Sequence, residues 1–173
     1  VRPAADDRAI TEEVHVLGEP VRGALAGAAG TTALNAATYL DMAVRARPGS
    51  TSPEQTVRQA ERRFGELPGD DASARDNRRS GIGALLGIGA GIGVGAVYGC
   101  VRAKAAHAPL PVMAVVAGVA ANAGSTAPMS ALGVTDPREW TARTWLMDLV
   151  PHLAYGVVTA VTFDAFARHR GRR

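Results

Sequence analysis

The chain has 173 residues, a formal net charge of +3 and one cysteine, Cys100. That length suits one domain, and a single thiol excludes an intramolecular disulfide or a cysteine-cluster metal site. The small net charge, with no aromatic interleaving of its basic stretches, argues against nucleic-acid binding. Charged residues are 20% of the total but crowd into 1–22, 45–79, 102–104, 136–148 and 164–173, leaving nearly charge-free intervals between. Lys104 is the one lysine among 19 basic residues, a usage typical of a high-GC bacterial genome.

Residues 1–20 form a polar, acidic segment without the basic-then-apolar layout of a signal peptide, so any membrane targeting falls to the chain's own helices. The first interval long enough to span a bilayer runs from 21 to 44, "VRGALAGAAGTTALNAATYLDMAV". In it Gly23, Gly27, Thr31 and Asn35 recur every fourth residue and form one small-residue ridge.

A polar loop, 45–79, follows. Ser52-Pro53 reads as a helix start with Gln55 at the capping-box position, and Gly65 reads as its stop. Val57, Ala60 and Phe64 fall on one side, which predicts a short amphipathic helix on the membrane surface. The stretch "ELPGDDASARDNRRS" after it is turn-like.

The second interval, 80–101, holds 22 uncharged residues between Arg79 and Arg102, with eight glycines in "GIGALLGIGAGIGVGAVYG". Eight glycines in a water-exposed helix would cost roughly 6–8 kcal/mol relative to alanine, and the segment has no polar face to turn outward. In hydrocarbon an unpaired amide is so costly that the helix is retained despite them. Gly83, Gly87, Gly91, Gly95 and Gly99 make an unbroken ridge, a surface on which a second helix approaches to near backbone contact. Gly89 and Gly93 repeat the spacing on another face. "GIGVGA" (91–96) fits a dinucleotide fingerprint, but lacks the preceding strand and following acidic residue that the motif requires.

The third interval, 109–132, carries Ala114, Gly118, Asn122 and Thr126 at the same spacing. The fourth, 144–167, is interrupted near its ends by Asp148 and Asp164, and precedes a basic tail at 168–173. Within it Asp148, His152, Tyr155, Thr159 and Thr162 fall on one narrow stripe of an otherwise apolar helix, with Pro151 positioned to bend it. An intramembrane Asp or His is a functional-site hypothesis by default. Asp41 and Asn35 from the first span and Asn122 from the third are its candidate partners. Nothing supplies a nucleophile with a base and an oxyanion site, so neither an enzyme nor a metal or cofactor site is expected.

Seven basic residues lie near span ends on each side, so charge bias does not orient the bundle. The compact "RHRGRR" tail favours cytoplasmic termini. At "HLAYGVV" (152–158), with "GALAGAAG" at 23–30, the chain resembles small four-helix bacterial inner-membrane proteins of uncharacterised function, the YagU-like group. That resemblance implies a membrane location and carries over no functional residue.

The sequence therefore predicts an all-α, polytopic protein of four transmembrane helices in a bacterial inner membrane, packed through small-residue ridges. It predicts a homo-oligomer or a subunit of a larger membrane complex, in a structural or accessory role. The alternative is a small proton-coupled transporter or channel using the Asp148–His152 stripe.

Overall fold

The computed structural model describes the backbone of residues 6–69 and 71–170, with side chains from 18 to 69 and from 71 to 168. Most of the acidic segment 1–20 and of the tail 168–173 thus lies outside the described side chains. The described chain is all-helical: α1 Asp6–Arg45, α2 Ser52–Phe64, α3 Ala72–Lys104, α4 Leu110–Ala131 and α5 Ala142–Arg170, with a 3-10 turn at Pro137–Glu139 before α5.

Local contacts set several of the helix ends. Asp71 caps α3 by accepting from the Ala74 amide at 2.7 Å, which satisfies one of the first-turn donors that a helix leaves open. α3 therefore begins eight residues before the uncharged stretch and extends into the segment expected to be loop. Thr141 Oγ1 accepts from the Thr144 amide at 3.2 Å at the start of α5. α2 starts at Ser52 and stops at Gly65, whose φ of 110° favours glycine. No capping box forms there. Gln55 donates to the Thr51 hydroxyl at 2.9 Å, and Thr51, not Ser52, occupies the cap. α5 runs unbroken through Pro151.

Among the described residues, three helices are long and apolar enough to cross a bilayer: α3, α4 and α5. The expectation of four such spans is corrected at the first interval. Between Arg22 and Asp41, α1 carries Thr31, Thr32, Asn35, Thr38 and Tyr39 amid alanine and glycine, with few large aliphatic residues to offset them. The fourth interval qualifies despite Asp148 and Asp164, because Leu146, Val150, Leu153, Val157 and Val161 sit between or beside them.

α1 is nevertheless a full member of the bundle, packing on both α3 and α5, while α4 packs on α5 and more lightly on α3. Its seam with α3 is antiparallel and almost free of side chains. Gly23 faces Gly95 and Gly99, Gly27 faces Gly91 and Gly95, and Thr31 faces Gly91. A Cβ on Gly27 would lie 2.6 Å from the Gly91 carbonyl oxygen, and one on Gly95 would lie 2.5 Å from Gly27 Cα. Gly99 approaches the Glu19 backbone in the same way. Only glycine permits this approach.

The ridge is not continuous contact. Gly87 meets nothing within 4 Å, nor do Gly89 and Gly93, so the expected grip on a second face is open within a single chain. Gly83 belongs to another seam, its would-be Cβ 2.8 Å from Pro53 Cβ on α2.

α2 lies along the first turns of α3. Val57 and Glu61 are buried there, with Arg79 Nε donating to Glu61 Oε2 at 2.6 Å and Ser80 donating to Glu54 at 3.0 Å. The apolar face expected to lie on the membrane is instead turned towards α3, except for Phe64, which is 86% exposed.

The bundle interior is small: Ala26, Ala114, Ala117, Ala121 and Ala160 pack around Tyr98, Met113, Tyr155 and Phe163. The large aliphatics point outward, among them Leu85, Leu86, Val115, Val116, Val157 and Val161. A water-soluble bundle buries such residues. This one presents them to its surroundings, as a lipid-solvated surface does.

Candidate functional site

The polar stripe of α5 meets α4 about one turn inside a pair of tryptophans. Trp140 and Trp145 pack edge-to-face with centroids 4.9 Å apart, and Trp140 donates to Thr135 Oγ1 at 2.7 Å. Such rings are enriched where a bundle leaves the apolar layer. Asp148 lies three residues beyond Trp145, so the stripe begins near that boundary and runs inward.

The α4–α5 seam is also antiparallel. Its inner half is built from small residues: a Cβ on Gly156 would lie 2.6 Å from the Gly118 nitrogen, and one on Gly118 would lie 2.8 Å from the His152 carbonyl oxygen. Its outer half is polar. Asn122 Nδ2 donates to Asp148 Oδ2 across the seam. Ser125, one turn along α4, places its hydroxyl 3.3 Å from His152 Nε2 and 3.0 Å from the Asn122 carbonyl oxygen.

These contacts fix the proton positions on the ring. His152 Nδ1 lies 2.7 Å from the Asp148 backbone carbonyl, which only accepts, so Nδ1 carries a hydrogen. In the neutral ring, Nε2 then accepts. Ser125 has one hydroxyl proton for two acceptors, the Asn122 carbonyl and His152 Nε2. In the imidazolium form Nε2 donates to Ser125 Oγ, and the hydroxyl proton is free for Asn122. One added proton therefore completes one further hydrogen bond. Asp148 Oδ2, 3.7 Å from Nδ1, is the nearby counter-charge.

Farther along, Tyr155 is fully buried and its hydroxyl donates to the Gly91 carbonyl oxygen on α3 at 2.6 Å. Thr159 is fully buried beside Gly30 of α1, where a Cβ on Gly30 would overlap its hydroxyl and approach the Tyr155 carbonyl to 2.9 Å. Thr162 is half-buried and makes no hydrogen bond among the described residues. The stripe thus joins α5 to α4 at one end, to α3 at Tyr155 and to α1 at Thr159.

Two residues proposed as partners are not brought to the stripe. Asp41 pairs with Arg45 at 3.2 Å and with Arg47 at the end of α1, because two guanidinium groups lie within six residues of it along the chain. Asn35 is half-buried on α1 and makes no hydrogen bond among the described residues. Ser125 and Gly156 escaped the sequence reading, although Ser125 is i+3 from Asn122 and Gly156 is i+4 from His152, spacings that place both on the seam. Among the described residues no three His, Cys, Asp or Glu side chains converge as a metal site would require.

No family model, no curated protein and no solved structure matches this chain.

Proposed function

We propose that the chain is a small integral protein of a bacterial inner membrane, its termini cytoplasmic, serving as a structural or accessory component of a membrane assembly. One observation carries this reading: three of the five stripe side chains, Asp148, His152 and Tyr155, bond to neighbouring helices, through Asn122, Ser125 and the Gly91 carbonyl. Polar side chains used this way hold transmembrane helices together. Because α1 lies against Gly91–Gly99, within the uncharged run of α3, the reading also takes α1 into the bilayer, as a helix that relies on its neighbours there. The likeness to the YagU-like group agrees with a membrane location and adds no site residue. The reading assigns no catalysis.

The second reading, a small proton-coupled transporter, draws on the Ser125 hydroxyl shared between two acceptors, because a proton on His152 resolves that competition. Purification in mild detergent at native expression, followed by the mass and composition of the intact particle, separates the two. The structural reading expects a stoichiometric foreign partner, retained in Asp148→Asn and His152→Ala. A chain that moves protons alone in liposomes, and stops in both variants, overturns it.

A further inference from the structure

The opposite end of the bundle holds a cleft of about 650 Å³ that the polar stripe does not reach. It lies between Glu19 and Arg22 of α1 and the last turns of α3 and α5, and its volume is in the range of roughly 300–1,000 Å³ typical of small-molecule sites. Cys100, Ala103 and Ala167, all exposed, line it together with the buried Phe163. Arg22, Arg102, Lys104 and Arg168 stand around it with Glu19 and Asp164.

The charges are not equivalent. Arg102 holds Asp164 through two bonds, Nε to Oδ1 and Nη2 to Oδ2, both 3.0 Å. Its Nη1 donates to the Ala105 and Ala106 carbonyl oxygens at 2.7 and 2.9 Å, which offsets the negative end of α3 that would otherwise repel an anion. Arg22 is paired with Glu19. Both carboxylates of the cleft therefore already face a guanidinium. Lys104 and Arg168 are exposed and have no ion-pair partner among the described residues. Among the described side chains the cleft keeps a net charge of two positive, beside the apolar surface of Cys100, Ala103, Phe163 and Ala167.

Its height matters as much. Arg102 is the first charge after the uncharged run 80–101, so the cleft straddles the point where the apolar layer of α3 ends. A ligand fitting it is anionic at the level of Lys104 and Arg168 and apolar one turn deeper. We propose that this cleft binds the headgroup of an anionic phospholipid, with its phosphate between Lys104 and Arg168 and the start of an acyl chain passing Ala103 and Ala167 towards Cys100 and Phe163. Basic pockets between transmembrane helices on the cytoplasmic side recognise lipid headgroups in this way. The inference rests on the membrane location proposed above.

The test uses the full chain in nanodiscs of phosphatidylcholine containing about 5% phosphatidylglycerol, with retained lipid counted by native mass spectrometry after gentle release. One phosphatidylglycerol per chain is expected to survive in preference to phosphatidylcholine. Lys104→Ala with Arg168→Ala should reduce that retention on the order of tenfold or more, whereas Arg138→Ala with Arg143→Ala, at the other end, should leave it intact. Ala167→Trp, which crowds the path of the acyl chain and keeps every charge, should also reduce it. Equal retention of the two lipids, or retention indifferent to the Lys104/Arg168 pair, overturns the site while leaving the membrane reading standing. Displacement by free glycerol phosphate at millimolar concentration, with no effect of Ala167→Trp, would make it a phosphate site and not a lipid one. A chain that remains in the aqueous phase overturns the membrane reading and this site together.

Discussion

α3 is held in two places by two different means. Along Gly91, Gly95 and Gly99 it meets α1 backbone to backbone, with hardly a side chain between them. Along Ala72–Gly83 it meets α2 through a buried valine, a proline on Gly83 and an ion pair from Arg79 to Glu61. The difference follows from the solvent each region is built for. In an apolar layer, burying leucine gains little because lipid is as apolar as leucine, so association depends on how closely the backbones approach. Outside that layer water makes apolar burial favourable again and strengthens the demand that a buried carboxylate be paired.

The largest effect should come from closing the first seam to its partner. Gly95→Val places its Cβ where Gly27 Cα and the Gly23 carbonyl now sit, and backbone on both sides cannot step aside. Removing a glycine from a helix favours it by only about 1 kcal/mol, against an overpacking cost of ~3 kcal/mol or more when backbone must move. The sum is unfavourable, and loss of the α1–α3 contact should be visible as failed cross-linking between cysteines placed on the two helices. Gly93→Ala is the matched control: nothing lies within 4 Å of it, so stability in detergent should stay the same or rise slightly. If Gly93→Ala instead dissociates a purified oligomer, the open face of α3 is the contact between copies.

The α4–α5 seam is intermediate, since it lies largely in the apolar layer yet uses side-chain hydrogen bonds. Interhelical bonds of that kind contribute about 0.6–2 kcal/mol, so Asn122→Ala should weaken the bundle by roughly that amount, less than Gly95→Val. A double-mutant cycle of Asn122→Ala with Asp148→Asn, followed by unfolding in mixed detergent, isolates the coupling. A coupling indistinguishable from zero would mean that Asp148 is held by something other than Asn122, and would remove the main support for a structural role of the stripe.

Much of this was legible as pattern and little of it as pairing. Four-residue spacing identified Gly23, Gly27, Gly91, Gly95 and Gly99 as contact surface because a helix turns nearly the same way every four residues. It could not separate Gly91, which meets Thr31, from Gly87, which meets nothing, because that depends on where α1 crosses. Counting charges misjudged the spans. α5 tolerates two aspartates near its ends, while α1 is weakened by many mildly polar residues that no charge count registers. Asp41 was misassigned for a related reason: its nearest cations, Arg45 and Arg47, are local in sequence and reach it before any other helix does. The α2 apolar face was visible, but whether it turns to lipid or to α3 depends on α3 beginning at Ala72, and hence on the cap that Asp71 provides.

The smallest effect belongs to the region outside the apolar layer and has a definite sign. Arg79 beside Glu61, aided by the Leu67 amide that donates to Oε1 at 3.0 Å, holds the Glu61 carboxyl below its ordinary value of 4.5, although burial pushes the other way. A folded value below the unfolded one means that the contact stabilises the docked α2 fully above the ordinary glutamate range. That contribution is lost as pH falls through the lower folded value. The docked hairpin should therefore be indifferent to pH near neutrality and should loosen only on strong acidification. A carbon-13 titration of the Glu61 carboxyl in detergent measures this directly: the midpoint should fall below that of an exposed glutamate and move back up in Arg79→Gln, with the Leu67 amide retaining part of the shift. A midpoint at or above the ordinary value would mean that burial outweighs the ion pair, in which case α2 is held to α3 by Val57, Pro53 and the polar contacts Ser80–Glu54 and Arg58–Asp76.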